Sequence, residues 1–129
     1  MPKSKPKPGQ EAIARARLEV VENRYPHRDY EIDISLPEFT CLCPISGYPD
    51  FAVIHVKYRP DRTIIELKSL KLYINQFRDR EVFHEEAVNC ILEDLAAACK
   101  PRWIRVTGDF NPRGNVKTVV TAEHGEPAR

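Results

Sequence analysis

Residues 51–78 read FAVIHVKYRPDRTIIELKSLKLYINQFR, and the spacing of their apolar residues changes midway. From Ala52 to Tyr58 every second residue is apolar, which is typical of a strand with one buried face. Leu70, Ile74 and Phe77 then have the i, i+4 and i+7 spacing of an amphipathic helix. The stretch therefore predicts a strand over 51–58, a turn over 59–62, an extended segment over 63–66 and a helix over about 69–78.

The flanking sequence continues these patterns. Alternation from Tyr30 to Leu36 predicts a strand that ends at Pro37, and residues 40–50, TCLCPISGYPD, predict an ordered loop. Downstream, the sequence predicts a helix over 83–99 that Lys100-Pro101 ends, and strands over 103–110 and 116–122 that are joined by a turn over 111–114.

The predicted order is strand, strand, helix, helix, strand, strand. This order favours an α+β fold in which an antiparallel four-stranded sheet carries two helices on one face. The other face then has no cover, and Phe51 and Val53 project onto it. We therefore expect copies of the chain to assemble through that face; a solvated face with a few apolar residues is the alternative.

The length of 129 residues favours one compact domain. The 20 Lys and Arg residues nearly balance the 19 Asp and Glu residues, so the overall charge does not favour a nucleic acid as partner. Residues 1–8 differ, because they contain three lysines, three prolines and no acid. We predict a disordered tail over 1–15 and a single domain over 16–129; a nucleic-acid-binding arm is the alternative role of the tail.

The sequence contains no apolar run near the roughly 20 residues that span a bilayer, and its N-terminus lacks the apolar stretch of a secretory signal. A cytoplasmic location is expected, in which the four cysteines stay reduced. Their spacing is not the paired C-x-x-C of zinc sites, so no metal is predicted. Cys90 and Cys99 lie in a predicted helix and are expected to pack into the apolar core, whereas Cys41 and Cys43 lie in the predicted loop.

Two stretches carry residue types that suit chemistry or phosphate binding. Cys43 is followed seven positions later by Asp50, and such a pair can act as nucleophile and proton donor, although loops often contain both without that role. Lys68, Ser69 and Lys71 lie at a predicted helix start, where free backbone N–H groups would help them bind a phosphate. A solvated helix face is the alternative.

A third stretch, Phe83-His84-Glu85-Glu86, begins the long predicted helix. Acidic residues at this position complement the helix dipole. A carboxylate can also accept two hydrogen bonds from a guanine-like edge, whose ring N–H and exocyclic amine are adjacent donors. The sequence has no G-x-G-x-x-G or P-loop pattern, so a nucleotide would have to bind without a Rossmann fold.

Four motifs occur together and in order: FTCLCPISGYPDF at 39–51, ELKSLKLY at 66–73, FHEE at 83–86 and FNPRG at 110–114. With them the chain, over about 30–120, resembles the short, single-module branch of the NADPH-dependent 7-cyano-7-deazaguanine reductases. That family belongs to the tunnelling-fold superfamily and is related to GTP cyclohydrolase I. The resemblance implies a ββααββ tunnelling fold that assembles into pentameric rings, often stacked as decamers, with active sites at subunit boundaries.

The resemblance also implies an activity: reduction of 7-cyano-7-deazaguanine to 7-aminomethyl-7-deazaguanine by two NADPH in queuosine biosynthesis, a tRNA modification, without a metal. Cys43 would form a covalent thioimide with the nitrile, and Asp50 would protonate the nitrile nitrogen. The residues that match the substrate site are Ile65, Glu66, Leu67, His84 and Glu85, and those that match the NADPH motif are Lys68, Ser69 and Lys71. The chain departs from many relatives at Cys41, where they have serine, and this adds a second candidate thiol.

Two other functions are compatible with the same residues. A zinc-dependent cyclohydrolase of the same fold would use Cys41 or Cys43 with His84 as ligands. A non-catalytic purine-binding ring would keep the recognition role of Glu85 and leave Cys43 without one. Oxidation of NADPH in the presence of the nitrile separates these functions from the reductase.

Overall fold

The computed structural model describes residues 5–127. Their helices and strands are α1 (Pro8–Arg15), β1 (Val20–Glu22), β2 (Ile32–Leu42), β3 (Pro49–Arg59), β4 (Thr63–Ile65), α2 (Leu67–Asn75), a short 3-10 helix (Gln76–Asp79), α3 (His84–Cys99), β5 (Trp103–Phe110) and β6 (Val119–Gly125). The predicted α+β class with an antiparallel sheet is confirmed. No helix within residues 5–127 has the length and apolar character needed to cross a membrane.

A four-stranded antiparallel sheet, in the order β2-β3-β5-β6, forms the centre of the molecule. The buried face of β3 is the one that the sequence predicted, because Ala52, Ile54, Val56 and Tyr58 are all buried. Helix α3 packs on β5 and β6, and the 3-10 helix packs on β2. The buried residues of these elements form one apolar core.

Helix α3 lies close to the sheet at Gly108 in β5. A Cβ at this position would lie 2.6 Å from Val88 of α3 and 2.8 Å from the Phe110 ring. Neither distance is compatible with a side chain, so the packing of α3 on β5 requires a glycine here.

A second, two-stranded sheet pairs β1 with β4, and Val20 lies opposite Ile65. The sequence predicted only an extended segment at β4 and no strand at β1, because three residues are too few to show a period. Two side chains hold β4 in place. The Ile65 N–H donates to the Tyr58 hydroxyl over 3.0 Å, and the Thr63 hydroxyl donates to the Cys99 carbonyl over 2.9 Å.

Strand β2 does not end at Pro37, as predicted, but runs on to Leu42. Proline is tolerated because β2 is an edge strand and its register shifts between Leu36 and Phe39, as at a β-bulge. The predicted loop over 40–50 therefore shrinks to the segment between Leu42 and Pro49. Cys41 lies in the strand, fully buried, rather than in a loop.

Strand β6 begins at Val119, three positions later than predicted. A small turn occupies the preceding residues, in which Arg113 and Val116 exchange two backbone hydrogen bonds of 3.0 Å. The two residues between them, Gly114 and Asn115, both have positive φ, of 56° and 72°. This is the type I′ geometry that a two-residue hairpin connection favours.

Part of the segment that was predicted to be a disordered tail is helical: Pro8–Arg15 form helix α1. Proline fits the first turn because the N–H that it lacks would have no partner there. At the C-terminal end of α1, the Gln76 side chain donates to the carbonyls of Ile13 and Ala16 over 2.9 Å each. The first four residues of the predicted tail lie outside the described part of the chain.

Candidate active site

The turn between β2 and β3 places Cys43 at the edge of the sheet. The Cys43 N–H donates to the Tyr48 carbonyl over 2.9 Å, and the Gly47 N–H donates to the Cys43 carbonyl over 2.8 Å. Gly47 has a φ of 73°, a conformation that glycine adopts without strain. The strand register then places Asp50 opposite Cys41. A tight hairpin thus holds the predicted nucleophile and proton donor next to each other at one end of the sheet.

The two candidate cysteines have opposite environments. Burial, together with the negative charge of Asp50, raises the pKa of the Cys41 thiol to about 11, and its sulfur lies 4.0 Å from the Val82 carbonyl. The backbone N–H of Ser46 lowers the pKa of Cys43 to about 7, with the Ser46 hydroxyl, the Ile45 N–H and Arg113 adding smaller effects. A large share of Cys43 is therefore thiolate at neutral pH, and thiolate is the nucleophilic form.

The Asp50 carboxylate is 6% exposed and has two partners that can carry positive charge. His84 Nε2 lies 3.2 Å from Asp50 Oδ2, and the Arg113 guanidinium contacts Asp50 Oδ1. The imidazole of His84 is held in position by stacking on the Phe110 ring, with 3.8 Å between the ring centroids and an angle of 5° between the planes. A buried carboxylate needs such partners, since an unpaired charge is costly away from water.

Cys43, Asp50, His84 and Glu85 line one cavity of about 260 Å³, together with Arg113. The structure thus brings together four of the residues that the sequence singled out. Arg113 was not among the predicted site residues, although the FNPRG motif contains it. Its contact with Asp50 joins residues 63 positions apart, and nothing in the local pattern signals such a contact.

The other predicted site residues lie elsewhere on the chain. Glu66, Lys68 and Ser69 line a different cavity, of about 410 Å³, between α1 and α2. Leu67 is 62% exposed and Lys71 is also exposed, whereas Ile65 is buried. Within one chain, the segment from Ile65 to Lys71 does not line the Cys43 cavity.

The expectation that backbone N–H groups at the start of α2 are free for a phosphate was wrong. The Glu66 carboxylate caps this helix by accepting hydrogen bonds from the N–H groups of Lys68 and Ser69. The Ser69 side chain is turned inward, where its hydroxyl accepts from the Glu19 N–H over 2.9 Å and donates to the Glu66 carbonyl over 2.8 Å. Of the three residues predicted to bind the phosphate, Lys68 and Lys71 remain exposed.

The zinc-site hypothesis is not supported by the geometry. Among residues 5–127, no three His, Cys, Asp or Glu side chains are grouped so that they could hold a metal ion. Cys41 is fully buried, with its sulfur near the Val82 carbonyl, whereas Cys43 lines the cavity. The two thiols and His84 therefore do not form a ligand set.

Comparisons with known proteins agree with the motifs. The family described as QueF-like protein matches residues 49–129. The NADPH-dependent 7-cyano-7-deazaguanine reductase of Thermosynechococcus vestitus is 55% identical over 121 residues, which are 94% of this chain and 92% of the relative. The enzyme of the same name from Microcystis aeruginosa is 57% identical over 112 residues, or 87% of this chain and 86% of the relative.

One solved structure extends the likeness to the fold. The crystal structure of the archaeosine synthase QueF-Like in the apo form superposes with a TM-score of 0.67 at 27% sequence identity. The match covers 78% of this chain and 96% of that one.

Proposed function

This chain belongs to the QueF-like protein family, and on that premise we propose that it is an NADPH-dependent oxidoreductase that converts 7-cyano-7-deazaguanine to 7-aminomethyl-7-deazaguanine in queuosine biosynthesis. The observation that carries the proposal is the Cys43 thiol, whose pKa of about 7 provides a thiolate in a cavity that Asp50 and His84 also line. A nitrile carbon is a soft electrophile, and a thiolate is the side-chain nucleophile that suits it.

The first step is the addition of Cys43 to the nitrile carbon. The S–C bond forms, one C–N π bond breaks, and the nitrogen takes up one proton. The proton that Cys43 loses on ionisation supplies this one: it passes to the pair of Asp50 and His84, whose Oδ2 and Nε2 atoms lie 3.2 Å apart, and from Asp50 to the nitrogen. The product is a covalent thioimide, whose carbon accepts hydride more readily than a nitrile does.

The lowered pKa of Cys43 serves a second purpose. After the first reduction, the tetrahedral adduct must expel the sulfur to leave an imine. A thiol of low pKa leaves more readily than one of ordinary pKa, so the hydrogen bonds from the Ser46–Ile45 turn assist both formation and collapse of the adduct.

NADPH fits the cavity between α1 and α2 by its charge. Arg15, Arg17 and Lys68 line this cavity and can pair with phosphate groups, although Glu19 and Glu66 line it too. When bound, each of two successive NADPH molecules supplies one hydride of the reduction. Among the proposed cofactor residues, Lys68 and Lys71 act as exposed cations, and Ser69 anchors the start of α2 through its hydroxyl.

Glu85 recognises the base in this proposal. It is exposed in the first turn of α3 and lines the Cys43 cavity, so its carboxylate can accept from the ring N–H and the exocyclic amine of the deazaguanine. The remaining proposed substrate residues, Ile65, Glu66 and Leu67, do not line that cavity in their own chain. A neighbouring copy would have to supply them.

The division of the proposed site residues between two cavities supports assembly of copies into a ring. A site at a subunit boundary unites the Cys43 cavity of one copy with the 65–71 segment of the next, in a pentameric ring that can stack into a decamer. The exposed apolar residues on the sheet's outer face, such as Phe51 at 51% exposure, support contact between copies. A boundary site also shields the imine from water between the two reductions.

The test is consumption of NADPH by the purified protein in the presence of 7-cyano-7-deazaguanine. Two NADPH should be oxidised for each aminomethyl product that mass spectrometry detects, and 7-deazaguanine without the cyano group should give no oxidation. Tight binding of the nitrile without NADPH oxidation would contradict the proposal and would favour a non-catalytic base-binding ring.

A further inference from the structure

We propose that Arg113 is a positioning residue that joins the Cys43 turn to Asp50 and keeps the two anionic groups of the site together. The inference rests on the proposed role of Cys43 as nucleophile. It adds a residue to that mechanism and explains why a thiolate and a buried carboxylate can lie side by side.

The guanidinium contacts Ser46, Tyr48 and Asp50 and also interacts with Cys43, so these partners all lie in the segment that carries Cys43 and Asp50. One nitrogen donates to Asp50 Oδ1, and the other lies 3.5 Å from the Ser46 hydroxyl. Its central carbon lies 5.5 Å from the centre of the Tyr48 ring, which is within cation–π range. Arg113 therefore spans the turn from Ser46 to Asp50 as a clamp.

The local backbone positions Arg113 for these contacts with the Ser46–Asp50 turn. Its two hydrogen bonds with Val116 close the type I′ turn around Gly114 and Asn115, so the segment after β5 has a defined shape. Phe110, three residues earlier, carries the stacked ring of His84. The end of β5 and the turn that follows thus hold both partners of the Asp50 carboxylate.

Electrostatics gives the clamp its function. Arginine stays protonated at all physiological pH values, and contact with Asp50 and then Cys43 raises the pKa of Arg113 further. Asp50 is almost completely buried, and the Arg113 guanidinium in contact with it compensates its charge and holds the carboxylate beside the turn. The N–H groups of the turn contribute more to the low pKa of Cys43, but they do not neutralise Asp50.

The variants Arg113→Gln and Arg113→Lys test the clamp, with Arg105→Gln as a matched control. Arg105 also pairs with a carboxylate, Glu123 at 2.8 Å, but lies outside the Cys43 cavity. The readout is the pH midpoint of Cys43 alkylation by iodoacetamide, followed on the Cys43 peptide by mass spectrometry. We expect Arg113→Gln to raise the midpoint by a fraction of a pH unit, Arg113→Lys to raise it less, and Arg105→Gln to leave it unchanged.

Several results would overturn the inference. A midpoint that stays at the wild-type value in a folded Arg113→Gln protein excludes the clamp. An unchanged midpoint with a raised KM for NADPH would assign Arg113 to cofactor phosphate instead. If Arg113→Gln does not fold, Arg113→Met, which also removes the charge, replaces it, and an unchanged midpoint in that folded variant is equally decisive. Failure of the proposed function would look different, since the midpoint would shift as expected while the wild-type protein forms no adduct with the nitrile.

Discussion

Cys41 and Cys43 are separated by one residue, but the strand end falls between them and decides their chemistry. Cys41 points into the core, whereas Cys43 begins a turn whose N–H groups point at its sulfur. The sequence favoured Cys43 only through its motif, because the predicted loop contained both thiols. The burial of Cys41 depends on β2 continuing past Pro37, and no local pattern indicates that continuation.

We expect Cys43→Ala to abolish both turnover and the covalent adduct, and Cys41→Ala to keep both. The reason is that Cys43 is largely thiolate at neutral pH, whereas the pKa of Cys41 is about 11. Intact-protein mass spectrometry with 7-cyano-7-deazaguanine and no NADPH measures the adduct. Cys41→Ala also removes a buried sulfur, so its melting temperature serves as control. An adduct that survives Cys43→Ala would contradict the assignment.

The pKa of Cys43 also predicts the acid limb of the pH profile. Below a pH of about 7 the thiol is protonated, so the rate of adduct formation should fall as pH falls and approach a tenfold loss per pH unit. Stopped-flow absorbance without NADPH measures this step alone. A rate that stays constant from neutral pH to about two units below it would show that the reactive form is not the Cys43 thiolate.

The elements that the sequence predicted well are those long enough to show a period. Strand β5 begins and ends where predicted, and α3 begins one residue later than predicted, because eight or more residues display their spacing clearly. Strands β1 and β4 have three residues each and are held by pairing with each other, which only the folded chain reveals. Helix α2 begins two residues earlier than predicted, because the Glu66 carboxylate caps it and satisfies its first N–H groups.

At the level of elements, Gly108→Ala should destabilise the protein by about 1–3 kcal/mol, because a new methyl group would overpack the contact between α3 and β5. The displaced atoms include the Phe110 ring, which supports His84, so turnover should fall as well. Thermal unfolding measures the first effect. Gly9→Ala is the control, since a Cβ there meets nothing within 4 Å. Equal melting temperatures for Gly108→Ala and wild type would mean that α3 does not pack closely against β5 at Gly108.

At the scale of the whole molecule, the outer face of the sheet is the surface that assembly should cover. Phe51 is 51% exposed there, next in sequence to Asp50. We expect Phe51→Glu to shift the protein from an oligomer toward smaller species, because a charge would then enter an apolar contact. Size-exclusion chromatography with light scattering gives the mass, and Tyr25→Glu, which changes an aromatic residue that is 59% exposed outside the sheet, is the matched control. An unchanged mass would mean that copies meet elsewhere.

The separation of the Cys43 cavity from the cavity between α1 and α2 has a consequence for mixed populations of subunits. If one site takes its nucleophile from one copy and its 65–71 segment from the next, a Cys43→Ala subunit and a Lys68→Glu subunit have different defects. Unfolded together and refolded as an equal mixture, two such inactive proteins should complement each other and recover about a quarter of wild-type activity, since about that share of boundaries would unite two intact halves. The same arithmetic applies in a cell that expresses both alleles. A copy with one of these defects would disable the site on one side of it only, so two different mutant alleles would complement each other in a way that a monomeric enzyme does not allow.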